Sequence, residues 1–276
     1  MTSSPLTAEQ RELYEEVIAF WTPERMASAK PIGSAVPALA EPRPAAPGAF
    51  TTTKVDDPAD KPHYRRAGRL FVDFNGKTGS GSACAIARNG ILTAAHCLYD
   101  FNTKQYATKV LYVPGYQNKG GKLGSWALFG TPSIPDGYIK ATTKNYSWDY
   151  AFSKVSLGGL NNLSVLGDVT GWFGLVVDRS TASQWDTLGY PTVPFGAYKF
   201  DGEFMWSCVG DFKGKLDPGT ITKEGNLTQG SSGGPWMINA DYVNGVQSHT
   251  GATPTENASP YFDKDVLDLY NKTFGH

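Results

Sequence analysis

The apolar and polar positions change their period three times along the chain. Thr7 to Phe20 opens with a Thr-x-x-Gln capping box and continues with strong helix formers, which predicts one short amphipathic helix ending before Pro23. From Pro23 to Pro62, eight prolines alternate with Ala, Ser, Thr and Gly, a composition that resists both helix and ladder pairing and predicts a tether. After Arg65-Arg66 the pattern becomes short β-prone runs closed by turn residues. Leu70 to Phe74 precedes Asn75-Gly76, Lys109 to Val113 precedes Pro114-Gly115, and Ala197 to Phe200 precedes Asp201-Gly202. Strands at such spacing predict an all-β body, a barrel or a sandwich. Asp263 to Phe274 returns to helical spacing, with apolar residues at 266, 267, 270 and 274 and Asp in the first turn, and predicts a closing helix.

Composition agrees with that reading. The 276 residues include 31 Gly and 18 Pro, many for a helical protein, and 40% hydrophobic content is too apolar for a disordered chain. Length allows two domains or one large one. With 25 basic against 26 acidic residues there is no global positive field, so neither nucleic acid nor an anionic membrane surface is expected as a partner. No window has the apolar length of a membrane span, and Met1 to Leu6 has neither the basic nor the apolar region of a signal peptide.

Three segments carry chemistry. Ile91-Leu92-Thr93-Ala94-Ala95-His96-Cys97 ends an apolar run on a His, Trp148-Asp149-Tyr150 sets an Asp among aromatics, and Gly230-Ser231-Ser232-Gly233-Gly234-Pro235 surrounds a Ser with glycines. Acyl transfer by Ser needs a base for its proton, a carboxylate to orient that base, and N–H donors for the oxyanion, and the chain offers a candidate for each. Taken alone, Gly230 to Gly234 also fits the Gly-x-Ser-x-Gly elbow of α/β-hydrolases. That reading needs the acid and the His after the Ser, leaving Asp263 or Asp265 with His276 or His249, and no alternating strand–helix pattern precedes Ser232.

The order His, Asp, Ser with TAAHC and GSSGGP resembles the chymotrypsin/trypsin superfamily of serine peptidases, over roughly residues 67 to 260. Gly-Ser-Ser-Gly-Gly-Pro-Trp and Gly189-Tyr190-Pro191 resemble its bacterial and fungal glutamyl-endopeptidase-like branch. The resemblance implies two antiparallel Greek-key β-barrels, with an N-terminal helix and Pro-rich arm before them and a C-terminal helix after. It makes His96 the general base, Asp149 its orienter, Ser232 the nucleophile, the N–H groups of Gly230 and Ser232 the oxyanion hole, and Ser248 a hydroxyl that locks Asp149. Ser231 stands where the family usually has Asp, so the ion pair that shapes the hole in trypsin-like zymogens cannot form, and other hydrogen bonds must replace it. By position, Asn226, Gln247 and His249 form the specificity pocket. Asn226 occupies the place of the Asp that attracts Lys and Arg in trypsins, while Leu227 and Gln247 depart from the hydroxyl and His of glutamyl-specific relatives.

The resemblance also implies a disulfide between Cys84 and Cys97, and a free thiol at Cys208, whose usual partner position holds Gly225. A disulfide implies an oxidising compartment. Sequons begin at Asn145, Asn162, Asn226, Asn257 and Asn271, but an Asn226 lining a pocket could carry no sugar. No zinc spacing appears, so no metal and no cofactor are expected.

These readings converge on a secreted, monomeric serine endopeptidase acting on protein or peptide. Residues 1–66 are read as a pro-segment cut near Arg65-Arg66, 67–160 as the first barrel with His96 and Asp149, and 161–276 as the second with Ser232. Activity should fall below about pH 6–7 as His96 protonates. The rivals are a catalytically silent peptidase-like binder and a carbohydrate-binding β-sandwich, either of which would bind without turnover.

Overall fold

A computed structural model describes residues 7–32, 50–179, 184–216 and 219–275. His276, and positions 33–49 of the expected tether, lie outside them.

The first unit is a closed barrel of six antiparallel strands, Ala67–Phe74, Lys77–Ala87, Gly90–Thr93, Thr108–Pro114, Trp126–Ser133 and Ala151–Val155. Around the ring they run first, second, third, sixth, fifth, fourth, the Greek-key jump expected from the resemblance. Asn75 (φ 52°) and Gly76 (φ 85°) close the first hairpin in the left-handed conformation that a tight two-residue turn requires, setting Phe74 opposite Lys77. Leu70, Phe71 and Val72 are all fully buried because the strand is covered on both faces: one lines the barrel, and on the other the ring of Phe71 meets Trp21 and Tyr116.

The second unit is a nine-stranded sheet. Its main path runs Gly174–Leu175, Tyr242–Val246, Pro235–Ile238, Gln184–Gly189, Trp206–Lys215, Thr220–Glu224, Glu256–Pro260 and His249–Thr250, so His249–Thr250 is the last strand of the path. Trp185 and Trp236 pack together in its core. The two units are joined by a part-buried ion pair, Arg69 of the first with Glu203 of the second at 2.9 Å, the guanidinium lying over the rings of Phe71 and Tyr116.

The N-terminal region differs from the expected tether. Ala8–Phe20 is helical, but Pro23 begins a second helix, Pro23–Ser28, since proline is tolerated in a first turn and Thr22 caps it. Tyr14, Val17 and Trp21 are buried against the first barrel; Tyr14 donates to Asn162 Oδ1 at 2.9 Å and Trp21 Nε1 to the Lys109 carbonyl. Two strands then join the sheets. Lys30–Pro31 pairs parallel with Lys77–Ala87, and the proline-free, Thr-rich run Phe50–Lys54 pairs antiparallel with Trp206–Lys215. Arg65-Arg66 ends a tight turn, Tyr64–Arg66, both half-buried, with Arg65 bonded to the Thr170 carbonyl and Arg66 paired with Asp241 at 2.8 Å. That backbone is not the extended, free strand that a protease engages.

Two further expectations are corrected. Ala197 to Phe200 is not a strand: Phe195 and Tyr198 bridge each other across a tight turn. Cys84 and Cys97 form no disulfide; both are buried free thiols, as is Cys208. The reason is strand alternation. A Cβ on Gly81 would stand 3.1 Å from the Cys97 sulfur, and Cys84, three residues further along the same strand, points to the opposite face. Gly81, not Cys84, is therefore the position that faces Cys97. The closing helix is present as Lys264–Phe274, capped by the Asp263 side chain and ended by Gly275.

Candidate active site

The barrel register brings the first two residues together. Strand Gly90–Thr93 pairs with Ala151–Val155 so that Thr93 lies opposite Ala151, which places the short helix Ala95–Leu98 beside the turn before Ala151. His96 extends from that helix and Asp149 from that turn. The His96 backbone N–H donates to Asp149 Oδ1 at 2.9 Å and its Nδ1–H to Oδ2 at 2.8 Å, leaving Nε2 free to accept a proton. Asp149 is wholly buried. Ser248 Oγ donates to Asp149 Oδ2, the contact expected of it.

The electrostatics follow from burial and pairing. Burial alone pushes the Asp149 carboxyl up, but the His96 charge and the hydrogen bonds from His96 and Ser248 outweigh it and hold the carboxyl below its ordinary range. Burial pulls His96 down, yet the Asp149 charge, Cys97 and their hydrogen bonds win and push it above the ordinary histidine value. Each group favours the charged form of the other.

Ser232 arrives from the second unit on the loop between Thr220–Glu224 and Pro235–Ile238. Its shape depends on glycine. Gly230 has φ 94° and Gly233 φ 84°, and a Cβ on Gly233 would meet Thr93 Oγ1 at 2.0 Å and the Ser82 carbonyl at 2.2 Å. The first barrel clasps this loop chiefly through Ser82, with the Cys97 thiol also donating to the Ser232 carbonyl at 3.6 Å. Ser82 N–H donates to the Ser232 carbonyl at 2.7 Å, and Ser82 Oγ donates to the Gly230 carbonyl at 2.9 Å. Ser231, in the usual place of Asp, folds its hydroxyl back onto the Thr228 carbonyl. The N–H groups of Gly230 and Ser232 donate to no acceptor among the described residues, as donors reserved for an oxyanion would.

His96 and Ser232 line one hollow of about 180 Å³ with Leu227, Gln247, Ser248 and His249. The ring of His249 stacks on Tyr146 with centroids 4.0 Å apart. Gln247 is committed to the fold, its amide ends bonded to Trp236 Nε1 and the His249 carbonyl. Asn226 sits apart from the lining: it is buried, and its Oδ1 accepts from Thr52 of strand Phe50–Lys54 at 2.6 Å. Asn257 is also buried, bonded at both amide atoms to Leu227, so neither of these two sequons is open to a sugar in the folded protein. Sequence reasoning missed Ile32, Lys144 and Tyr146, which also line the hollow. Ile32 and Lys144 come from segments with no motif, and only the pairing of Lys30–Pro31 brings the former there. Among the described residues that line the hollow there is no carboxylate.

No family model matches the sequence, and no curated protein does. Solved structures do. The chain is similar to the protease Anisep from Arthrobacter nicotinovorans, with 26% identity and TM-score 0.68 over 82% of this chain and all of that one. It is similar to a thermostable serine protease, AL20, from an extremophilic microorganism, with 25% identity and TM-score 0.66 over 78% of this chain and 97% of that one. A Glu endopeptidase shares the fold at 21% identity and TM-score 0.66, over 82% and 97% of the two chains. The chain therefore has the two-unit fold of the chymotrypsin/trypsin-like serine protease superfamily.

Proposed function

We propose that the protein is a secreted serine endopeptidase, with Ser232 as nucleophile, His96 as general base and Asp149 as its orienter. The observation that carries this is the two-point hold of Asp149 on His96 in the hollow that Ser232 shares, next to two undirected backbone N–H groups. A peptide chain would lie along the terminal strand His249–Thr250 by strand addition and present one side chain between Leu227 and His249. Ser232 Oγ attacks the carbonyl as His96 Nε2 takes its proton, the oxyanion is held by Gly230 and Ser232 N–H, and His96 returns the proton to the leaving amine. Water then hydrolyses the acyl-enzyme by the same route. The fold shared with serine proteases supports the reaction class.

The experiment is intact-mass analysis after reaction with phenylmethylsulfonyl fluoride, paired with hydrolysis of fluorescein-casein. One adduct, lost in Ser232→Ala and His96→Ala together with casein hydrolysis, is the expected outcome. Folded protein that takes no adduct and cleaves nothing would replace this reading with the silent binding homologue.

A further inference from the structure

We propose that Lys30–Ile32 is an internal inhibitor that occupies the cleft beside Ser232 by strand addition. The inference deepens the peptidase reading and rests on it.

The segment uses the lip of the cleft opposite His249–Thr250. Lys30 pairs with Gly79 and Pro31 with Ser80, and the Ile32 N–H donates to the Ser80 carbonyl at 2.9 Å. Two residues further along the same strand, Ser82 holds the Ser232 carbonyl. The added strand therefore runs up to the nucleophile.

The seat beneath it is bare backbone. Gly79 and Gly81 point to one face of their strand. A Cβ on Gly79 would come within 2.7 Å of Ile32 Cγ1, and one on Gly81 would lie 3.7 Å from Ile32 Cδ1 and 3.1 Å from the Ser232 carbonyl. Two side-chain-free positions thus make the groove that the isoleucine fills.

Ile32 divides the cleft. On one side is the hollow with Ser232, Leu227 and His249; on the other is a second hollow of about 230 Å³ walled by Phe74, Tyr99 and Phe101. Both hollows share Ile32 and His96. A substrate crossing from the edge His249–Thr250 past His96 to the aromatic hollow must pass through the space that Ile32 fills. A probe that needs only the first hollow meets no such obstacle.

Three residues bind weakly by themselves, but these are held by the segment before them, the helix Ala8–Phe20 with Trp21 just after it, whose Tyr14, Val17 and Trp21 are buried against the same barrel. Tethering turns the contact into an intramolecular one of high effective concentration. Because the anchor precedes the segment, hydrolysis of the chain after Ile32 would leave the inhibitor seated.

The test uses the full chain, Ile32→Gly to empty the seat and Gly79→Ala to evict the isoleucine while keeping it. Two rates are read for each: fluorescein-casein hydrolysis, which spans the cleft, and Ser232 labelling by phenylmethylsulfonyl fluoride, which does not. If the inhibitor leaves the cleft open in roughly a tenth of molecules, both variants raise casein kcat/KM about tenfold and leave the labelling rate within about twofold. Normal labelling with unchanged casein hydrolysis in both variants would overturn the inhibitor and leave the peptidase standing. Absence of labelling and of hydrolysis in every form would remove both. Should Ile32→Gly fail to fold, Gly79→Ala decides, since it retains every N-terminal side chain.

Discussion

Asp149 holds His96 at two atoms, its Oδ1 accepting from the backbone N–H and its Oδ2 from Nδ1–H, so one carboxylate fixes both the position and the tautomer of the imidazole. Replacing it by Asn keeps the shape but offers an amide donor to Nδ1, favouring the wrong tautomer. Asp149→Asn is expected to lower kcat on casein by about 10³- to 10⁴-fold with little change in KM. Ser248→Ala, which removes only the hydroxyl on Oδ2, should cost about tenfold. Steady-state kinetics of the two variants check both figures, and an Asp149→Asn enzyme retaining more than a tenth of wild-type kcat would remove Asp149 from the orienting role.

The pH dependence follows from the same pair. His96 is raised above its ordinary 6.5, towards about 10, and acts as a base only when neutral, so the acid limb of kcat/KM should lie above pH 6.5. This moves the expectation drawn from an unperturbed histidine upward. The effect on stability has the opposite sign for the two partners. The raised His96 contributes fully below 6.5 and its contribution is lost as pH rises through its folded value; the lowered Asp149 contributes above 3.8 and is lost as pH falls through its folded value. A kcat/KM profile with its acid limb at or below pH 6 would contradict the coupling.

Thiol chemistry distinguishes Gly81 from Cys84 as the position facing Cys97. Titration of the denatured, unreduced protein should find three thiols. Gly81→Cys adds a fourth and should leave only two, because a Cβ 3.1 Å from the Cys97 sulfur matches the roughly 3 Å that a disulfide demands. Closing the loop between 81 and 97 is worth at most about 3 kcal/mol, less whatever strain the Ser232 carbonyl imposes. Four titratable thiols in the oxidised variant would rule the pairing out.

The N-terminal helix is expected to behave as part of the fold. Trp21 is buried, packs on Phe71 with centroids 5.4 Å apart and donates to Lys109. Trp21→Ala should cost about 3–5 kcal/mol in urea unfolding. A loss below about 1 kcal/mol, the scale of surface substitutions, would show that the helix is not docked in solution.

Gly233→Ala tests the nucleophile loop without touching a reacting group. Its φ of 84° and the atoms 2.0 and 2.2 Å from a new Cβ leave no room, so the loop must shift. A displacement of about 1 Å at Ser232 is enough for a hundredfold loss of kcat, readable at unchanged protein concentration by active-site titration.

How much of this was legible beforehand divides along physical lines. TAAHC and GSSGGP mark places where only certain residues fit the backbone, so the β class could be read, and His96 and Ser232 could be picked out as candidates that the fold brings to one hollow. Asp149 could be read because aromatics flank it. Pairing across the chain could not: nothing local distinguishes Phe50–Lys54 from loose chain until the edge of Trp206–Lys215 is available to it. The hydrogen bond that Asn226 accepts was out of reach for the same reason, since its partner Thr52 lies 174 residues away. The cysteine error came with the resemblance, which carries a pairing over by position, whereas the face of the strand puts Gly81 and not Cys84 against Cys97. Ala197 to Phe200 has the composition of a strand, yet tertiary context turns it back on Phe195.

Ser82 gives the molecule a mechanical character. Its N–H, its hydroxyl and its carbonyl each bond to a different part of the surroundings: Ser232, the pair Gly230 and Tyr190, and Thr93. Ser82 therefore acts as a rivet that sets the other unit's Gly230–Pro235 loop beside His96, with the Cys97 thiol as a weaker second fastening. The halves cannot rock apart while the site stays assembled, and loosening the seam anywhere is felt at Ser232 as misalignment before it is felt as unfolding. Loss of activity on mild heating would then report the parting of the two halves, ahead of any change in the barrel's own strands.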